Sequence, residues 1–136
     1  MSDAKPAAAD DATPDLDAIG PEADSKLLVW LCHVAIDRHS LRVAECDAPG
    51  APPSWGPVHK VHAPGSLHYQ HRAADISGAP AEMEAYCKWV VANYQARIAE
   101  LIHNPGCSIK DGRLVPPSYW GDTTWQAHRN HVHLGI

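Results

Sequence analysis

The chain has 136 residues, close to the ~150 of one typical domain, so a second hydrophobic core is excluded. It is 45% hydrophobic and 20% charged, too apolar for wholesale disorder, and its longest apolar run, Leu27 to Cys32, stops at His33, far short of the ~20 residues of a membrane span. The net charge of -5 is concentrated at the start: residues 1–25 sum to -6 and the remaining 111 to +1, so the body has no basic footprint for nucleic acid.

Residues 1–20 are rich in Ala, Asp and Pro, with Leu16 and Ile19 as their only large apolar groups. They cannot bury enough surface to offset ordering entropy, so a disordered acidic tail is expected there, ahead of a folded unit over 21–136. The tail lacks the basic start and apolar centre of a signal peptide, which predicts a chain made in the cytoplasm.

Leu27, Leu28, Leu31, Val34 and Ala35 recur at helical spacing from Glu22 to Arg38, with Trp30 and Ile36 widening the stripe. Pro21 suits a first helical turn, and Glu22 and Asp24 sit at its positive end. Leu41, Val43 and Cys46 then alternate as in a strand buried on one face. Five prolines and three glycines between Ala48 and Gly65 predict a long loop. A second helix is predicted from about Pro80 to Tyr94, with Met83, Tyr86, Cys87, Val90 and Tyr94 on one face. Ile98, Leu101 and Ile102 suggest a strand ended by Asn104, Pro105 and Gly106. Val132, Leu134 and Ile136 make the last strand, with His131 and His133 on its other face. The fold class is α+β: a small antiparallel sheet with helices packed on one side. Cys32, Cys46, Cys87 and Cys107 are widely spaced and read as buried thiols.

Histidine is the unusual component. Seven of ten fall into two clusters, His59, His62, His68 and His71 in mid-chain and His128, His131 and His133 at the end. His68 and Asp75, seven residues apart, can offer an imidazole nitrogen and a carboxylate oxygen to one cation, both ligand types that zinc accepts. His131 and His133, two apart on a strand, can supply a third ligand and a group facing the open coordination position. Any one of these histidines alone could simply donate a hydrogen bond. Their clustering, with a carboxylate at ligand spacing, favours a shared metal. Trp55, Tyr119, Trp120 and Trp125 flank the clusters and could wall a substrate groove or staple loops to the core.

The segment Ser66-Leu-His68-Tyr-Gln-His71-Arg-Ala73-Ala-Asp75 resembles the Ser-x-His-x-x-Gly-x-Ala-x-Asp motif of the zinc D-alanyl-D-alanine carboxypeptidases and related peptidoglycan peptidases, phage endolysins included. His131-Val132-His133 resembles their closing His-x-His, and the likeness spans about residues 25–136. It implies a hedgehog-like fold, one Zn2+ per chain on His68, Asp75 and His133, and metal-assisted hydrolysis of an amide in the peptidoglycan stem peptide. It also implies action at the cell wall; the lack of an export signal suits a phage lysin or virion component as well as a bacterial cytoplasmic protein, and the chain is expected to be a monomer without nucleic-acid or membrane partners.

Two positions depart from the motif. His71 replaces its glycine, so the turn bends differently or gains a fourth ligand. Asn130 replaces the acidic base three residues before the last ligand, which leaves His131 or His128 as the base; otherwise the chain is a silent, zinc-stapled binding or structural module. An upstream cation for the substrate carboxylate falls to Arg38, Arg42 or Lys60, of which Lys60 is the choice, with Ser66 and Trp125 as further substrate contacts. A third reading, a histidine-rich metal store, would take several ions per chain.

Overall fold

The first helix, α1 (Pro21–His39), starts where its sequence provides for a start: Pro21 occupies the first turn, Glu22 and Asp24 face the positive end of the dipole, and Arg38 and His39 occupy the last turn. The computed structural model describes residues 14, 15 and 17–136, so the tail expected over 1–20 lies for the most part outside the described residues. Ser40, in the left-handed region at φ 55°, ends α1 and turns the chain into β1 (Arg42–Ala44). The second helix, α2 (Pro80–Tyr94), has the predicted bounds, and Met83, Tyr86, Cys87 and Val90 are buried. Tyr86 Oη donates to the Leu31 carbonyl at 2.8 Å, tying α2 to α1.

The other strands are β2 (Ala73–Ser77), β3 (Glu100–His103), β4 (Cys107–Lys110), β5 (Arg113–Leu114) and β6 (Val132–Gly135). A short helix, α3 (Asp122–Ala127), precedes β6. The six strands form one sheet in the order β1-β2-β6-β3-β4-β5, antiparallel at every pair. The α+β class with an antiparallel sheet is therefore as expected. Cys46 and Ile98 are buried but lie just outside β1 and β3, and His131 lies just before β6.

Alternation along the strands sorts the two faces. Ala74, Ile76, Leu101, Ile109, Val132 and Leu134 join Leu27, Leu31 and Tyr86 in the core beneath α1 and α2. Asp75, His133 and Ile102 occupy the intervening positions and so face the other way. Because the chain's last strand inserts between β2 and β3, the register sets His133 opposite Asp75 on one side and opposite Ile102 on the other. Residues paired across an antiparallel ladder share a face, so this register alone joins Asp75 to His133. A one-residue slip would drive the imidazole into the core. Among the described residues, no helix is long and apolar enough to cross a membrane.

Candidate metal centre

His68 reaches the sheet from a 3-10 turn (Leu67–Gln70) rather than from a strand. Ser66 caps that turn, its Oγ accepting from the His68 backbone N–H at 3.2 Å. Leu67 seats over β6 because Gly135 has no side chain: a Cβ there would stand 2.6 Å from Leu67 Cδ1. His71 closes the turn in the left-handed region at φ 59°. The turn thus bends as a glycine would allow, at a residue for which that conformation is uncommon. The His71 ring points outward to Asp47, with Nδ1 3.0 Å from Oδ1, and is no fourth ligand.

His68, Asp75 and His133 are all buried, and one donor atom of each lies within 4.8 Å of the others. Asp75 Oδ1 is 3.2 Å from His68 Nε2 and 3.8 Å from His133 Nδ1. Tetrahedral ligands ~2.1 Å from an ion stand about 3.4 Å apart, so the three donors are already near their coordinating separations. This group can hold a metal ion.

Each imidazole is also held from behind. His68 Nδ1–H donates to the Glu45 carbonyl at 3.1 Å, which leaves the Nε2 lone pair towards Asp75. His133 Nε2–H donates to Glu100 Oε1 at 2.8 Å, which leaves Nδ1 for the same point, and Glu100 Oε2 is 3.0 Å from Lys110 Nζ. Such outer acceptors, fixing tautomer and ring direction, accompany metal-ligating histidines. Glu100 and Glu45 escaped the sequence reading because neither lies in a motif; Glu100 reaches His133 only through the pairing of β3 with β6.

The charges of the metal-free site follow from these contacts. Burial alone would raise the pKa of Asp75, but hydrogen bonds with His133 and His68 hold it well below the carboxylate range. Burial opposes ionisation of Glu100 too, and His133 and Lys110 overcome it, to about 2. For His133, burial lowers the pKa while Asp75 and Glu100 raise it, to about 9. Burial lowers His131 to about 4, Asp75 partly opposing and His128, His133 and Lys60 adding to the shift, so its imidazole is neutral at pH 7.

His131 Nδ1 is 2.8 Å from Asn130 Oδ1 and its Nε2 is 3.9 Å from Asp75 Oδ1. Asn130, which cannot serve as a base, therefore accepts the Nδ1–H and leaves the Nε2 lone pair facing the donors. His128 Nδ1–H donates to the Thr124 carbonyl at 2.6 Å, and its ring lies 4.6 Å from that of His131 and 5.9 Å from that of His133. Burial lowers its pKa.

These donors open onto a cavity of about 470 Å³ lined also by Lys60, Ser66, Trp120 and Thr124. Trp125 is placed elsewhere, in a second cavity of about 390 Å³ with Val91, Leu114 and Pro117. Trp55 is a core residue, 6% exposed, its ring 4.9 Å from that of His33. Tyr119 is exposed and packs edge-on against Trp120. Of the three candidate cations only Lys60 lines this first cavity, with Nζ 3.8 Å from Glu45 Oε2. The four cysteines are free and buried. No protein-family model, curated protein or solved structure matches the chain.

Proposed function

We propose that this chain is a zinc-dependent hydrolase of an amide bond in the stem peptide of bacterial peptidoglycan. The observation that carries the hydrolase part is the convergence of His68 Nε2, Asp75 Oδ1 and His133 Nδ1, each imidazole backed by an acceptor, with a further uncommitted nitrogen, His131 Nε2, facing the same point. The substrate class is drawn from the motif resemblance of residues 66–75 and 131–133.

The donor set of two imidazoles and one carboxylate suits zinc, which when bound supplies Lewis acidity and brings a water's pKa towards ~7. His131 is the proton acceptor, with Asn130 holding its reactive tautomer, and the proton it takes is available to the departing amine. His128, half-buried beside His131, fixes the ring's position. Lys60 receives the substrate's carboxylate at the rim, and Trp120 provides an apolar wall; Ser66 holds the His68 turn.

Purified cell walls incubated with the protein, with and without chelator, test this. New free amines are expected only without chelator, and His131→Ala should abolish their release while zinc remains bound. Asn130 at the usual acidic position favours one rival, a zinc-stapled module that binds walls. Co-sedimentation with walls and no amine release under any zinc loading would establish that rival and refute the hydrolase.

A further inference from the structure

The four cysteines come from four separate segments, and the fold leaves none of them alone. Cys32 is on α1 and Cys46 follows β1; Cys87 is on α2 and Cys107 begins β4. The thiols of Cys32 and Cys46 are hydrogen-bonded to each other, and so are those of Cys87 and Cys107. A buried free cysteine packs as a small apolar group and has no need of a second thiol. Here every cysteine has one, and the pairing leaves no sulfur over.

Both pairs open onto a cavity through one member. Cys46 lines a cavity of about 290 Å³ with Pro52 and Pro57. Cys107 lines the one of about 390 Å³ that holds Trp125. Cys32 and Cys87 lie behind them, both 0% exposed. Within each pair the hydrogen bond draws one thiol's pKa down, that of Cys46 and that of Cys87, while burial pushes the partner's up. For Cys87 the contact with Cys107 outweighs burial, and the neighbouring His103 adds to it. Each pair therefore holds one sulfur disposed to ionise beside one that keeps its proton.

We propose that the four thiols are two latent disulfides, Cys32–Cys46 and Cys87–Cys107, which stay reduced in a thiol-rich compartment and close when the chain meets a small-molecule disulfide as oxidant. At each pair a thiolate attacks one sulfur of the oxidant, forming a mixed disulfide and releasing one thiolate. The partner cysteine then attacks the mixed disulfide, which forms the protein S–S bond and releases the second thiolate. Two electrons pass to the oxidant, and the protons lost by the two cysteines end on its two thiols. The Cys32–Cys46 bond ties α1 to the turn of Glu45, whose backbone is in the left-handed region at φ 50° and whose carbonyl accepts from His68 Nδ1–H. The Cys87–Cys107 bond ties α2 to β4. The assignment stands on the thiol contacts and holds whether or not the chain binds zinc or hydrolyses a peptide.

Oxidation of the full chain with oxidised glutathione, in the presence of chelator, tests it; thiols that remain are alkylated after denaturation. Intact mass spectrometry should show a monomer about 4 Da lighter with no thiol left to alkylate, two hydrogens being lost at each bond. A non-reducing tryptic digest should join the Cys32 peptide to that of Cys46 and the Cys87 peptide to that of Cys107. Cys32→Ala should still close Cys87–Cys107 and hold Cys46 as a mixed disulfide with glutathione, and Cys107→Ala should still close Cys32–Cys46; circular dichroism checks the fold of each variant. The oxidised wild type should unfold at higher urea than the reduced, and dithiothreitol should reverse the shift. Two or more alkylatable thiols in the oxidised chain, a peptide joining cysteines of different pairs, or bonds between chains would overturn the proposal.

Discussion

Replacing Glu100 by Ala removes the acceptor behind His133 without touching a ligand. In the wild type the Glu100 Oε1 to His133 Nε2 distance of 2.8 Å makes a charge-assisted bond that fixes the Nε2–H tautomer and directs Nδ1 at the candidate metal position. Losing such an outer partner weakens metal binding about 10- to 100-fold, or about 1.4 to 2.7 kcal/mol. Because Glu100 is also held 3.0 Å from Lys110, its orientation is fixed in advance, and Glu100→Ala should fall at the upper end of that range. Glu100→Gln, which keeps an oxygen acceptor and loses the charge, should fall at the lower end. Competition against a chromogenic chelator measures both affinities. Wild-type zinc affinity in Glu100→Ala would refute the assignment of Nδ1 as the ligand atom of His133.

Zinc uptake should release about one proton at pH 7, because the His133 of the metal-free protein has its pKa raised to about 9. Affinity should then rise with pH and level off above about 9; calorimetry in buffers of different ionisation enthalpy reads the proton count, and no release at pH 7 would contradict the contact geometry. In the metal-free protein the same raised pKa contributes stability fully present below about 6.5 and lost as pH rises through about 9, which chelator-treated urea melts across that window would detect. Leu134→Ala, at a fully buried position of the central strand, should cost about 2 to 5 kcal/mol in urea unfolding. Asn130→Ala should slow amine release from cell walls about tenfold or more with zinc affinity unchanged, since it removes the acceptor that sets the His131 tautomer.

The helices were legible because their signals are local: proline in the first turn, acids beside it, and a 3.6-residue apolar stripe in both α1 and α2. The strand β6 showed clean alternation. By contrast, β2 is buried on both faces over Ala73–Ile76, so it has no period to read, and β4, β5 and α3 are too short to declare one. Spacing in the chain paired His68 with Asp75 and left His131 and His133 open as the third donor, the choice of His133 coming from the motif resemblance; what orients these side chains was not legible. Glu100 and Glu45 are adjacent to their histidines only after β6 inserts between β2 and β3 and the loop before His68 folds back on the end of β1. The tryptophans show the same limit: Trp55, Trp120 and Trp125 look alike in sequence, and the fold sends them to the core, the cavity beside His68 and Asp75, and a separate cavity.

The most direct measurement is a crystal structure of the zinc-loaded chain, with the ion located by anomalous scattering. The expected result is zinc at ~2.0 to 2.2 Å from His68 Nε2, Asp75 Oδ1 and His133 Nδ1, with His131 Nε2 facing its open side. Zinc bound without Asp75 and His133, or no anomalous peak among these three side chains, would contradict the account.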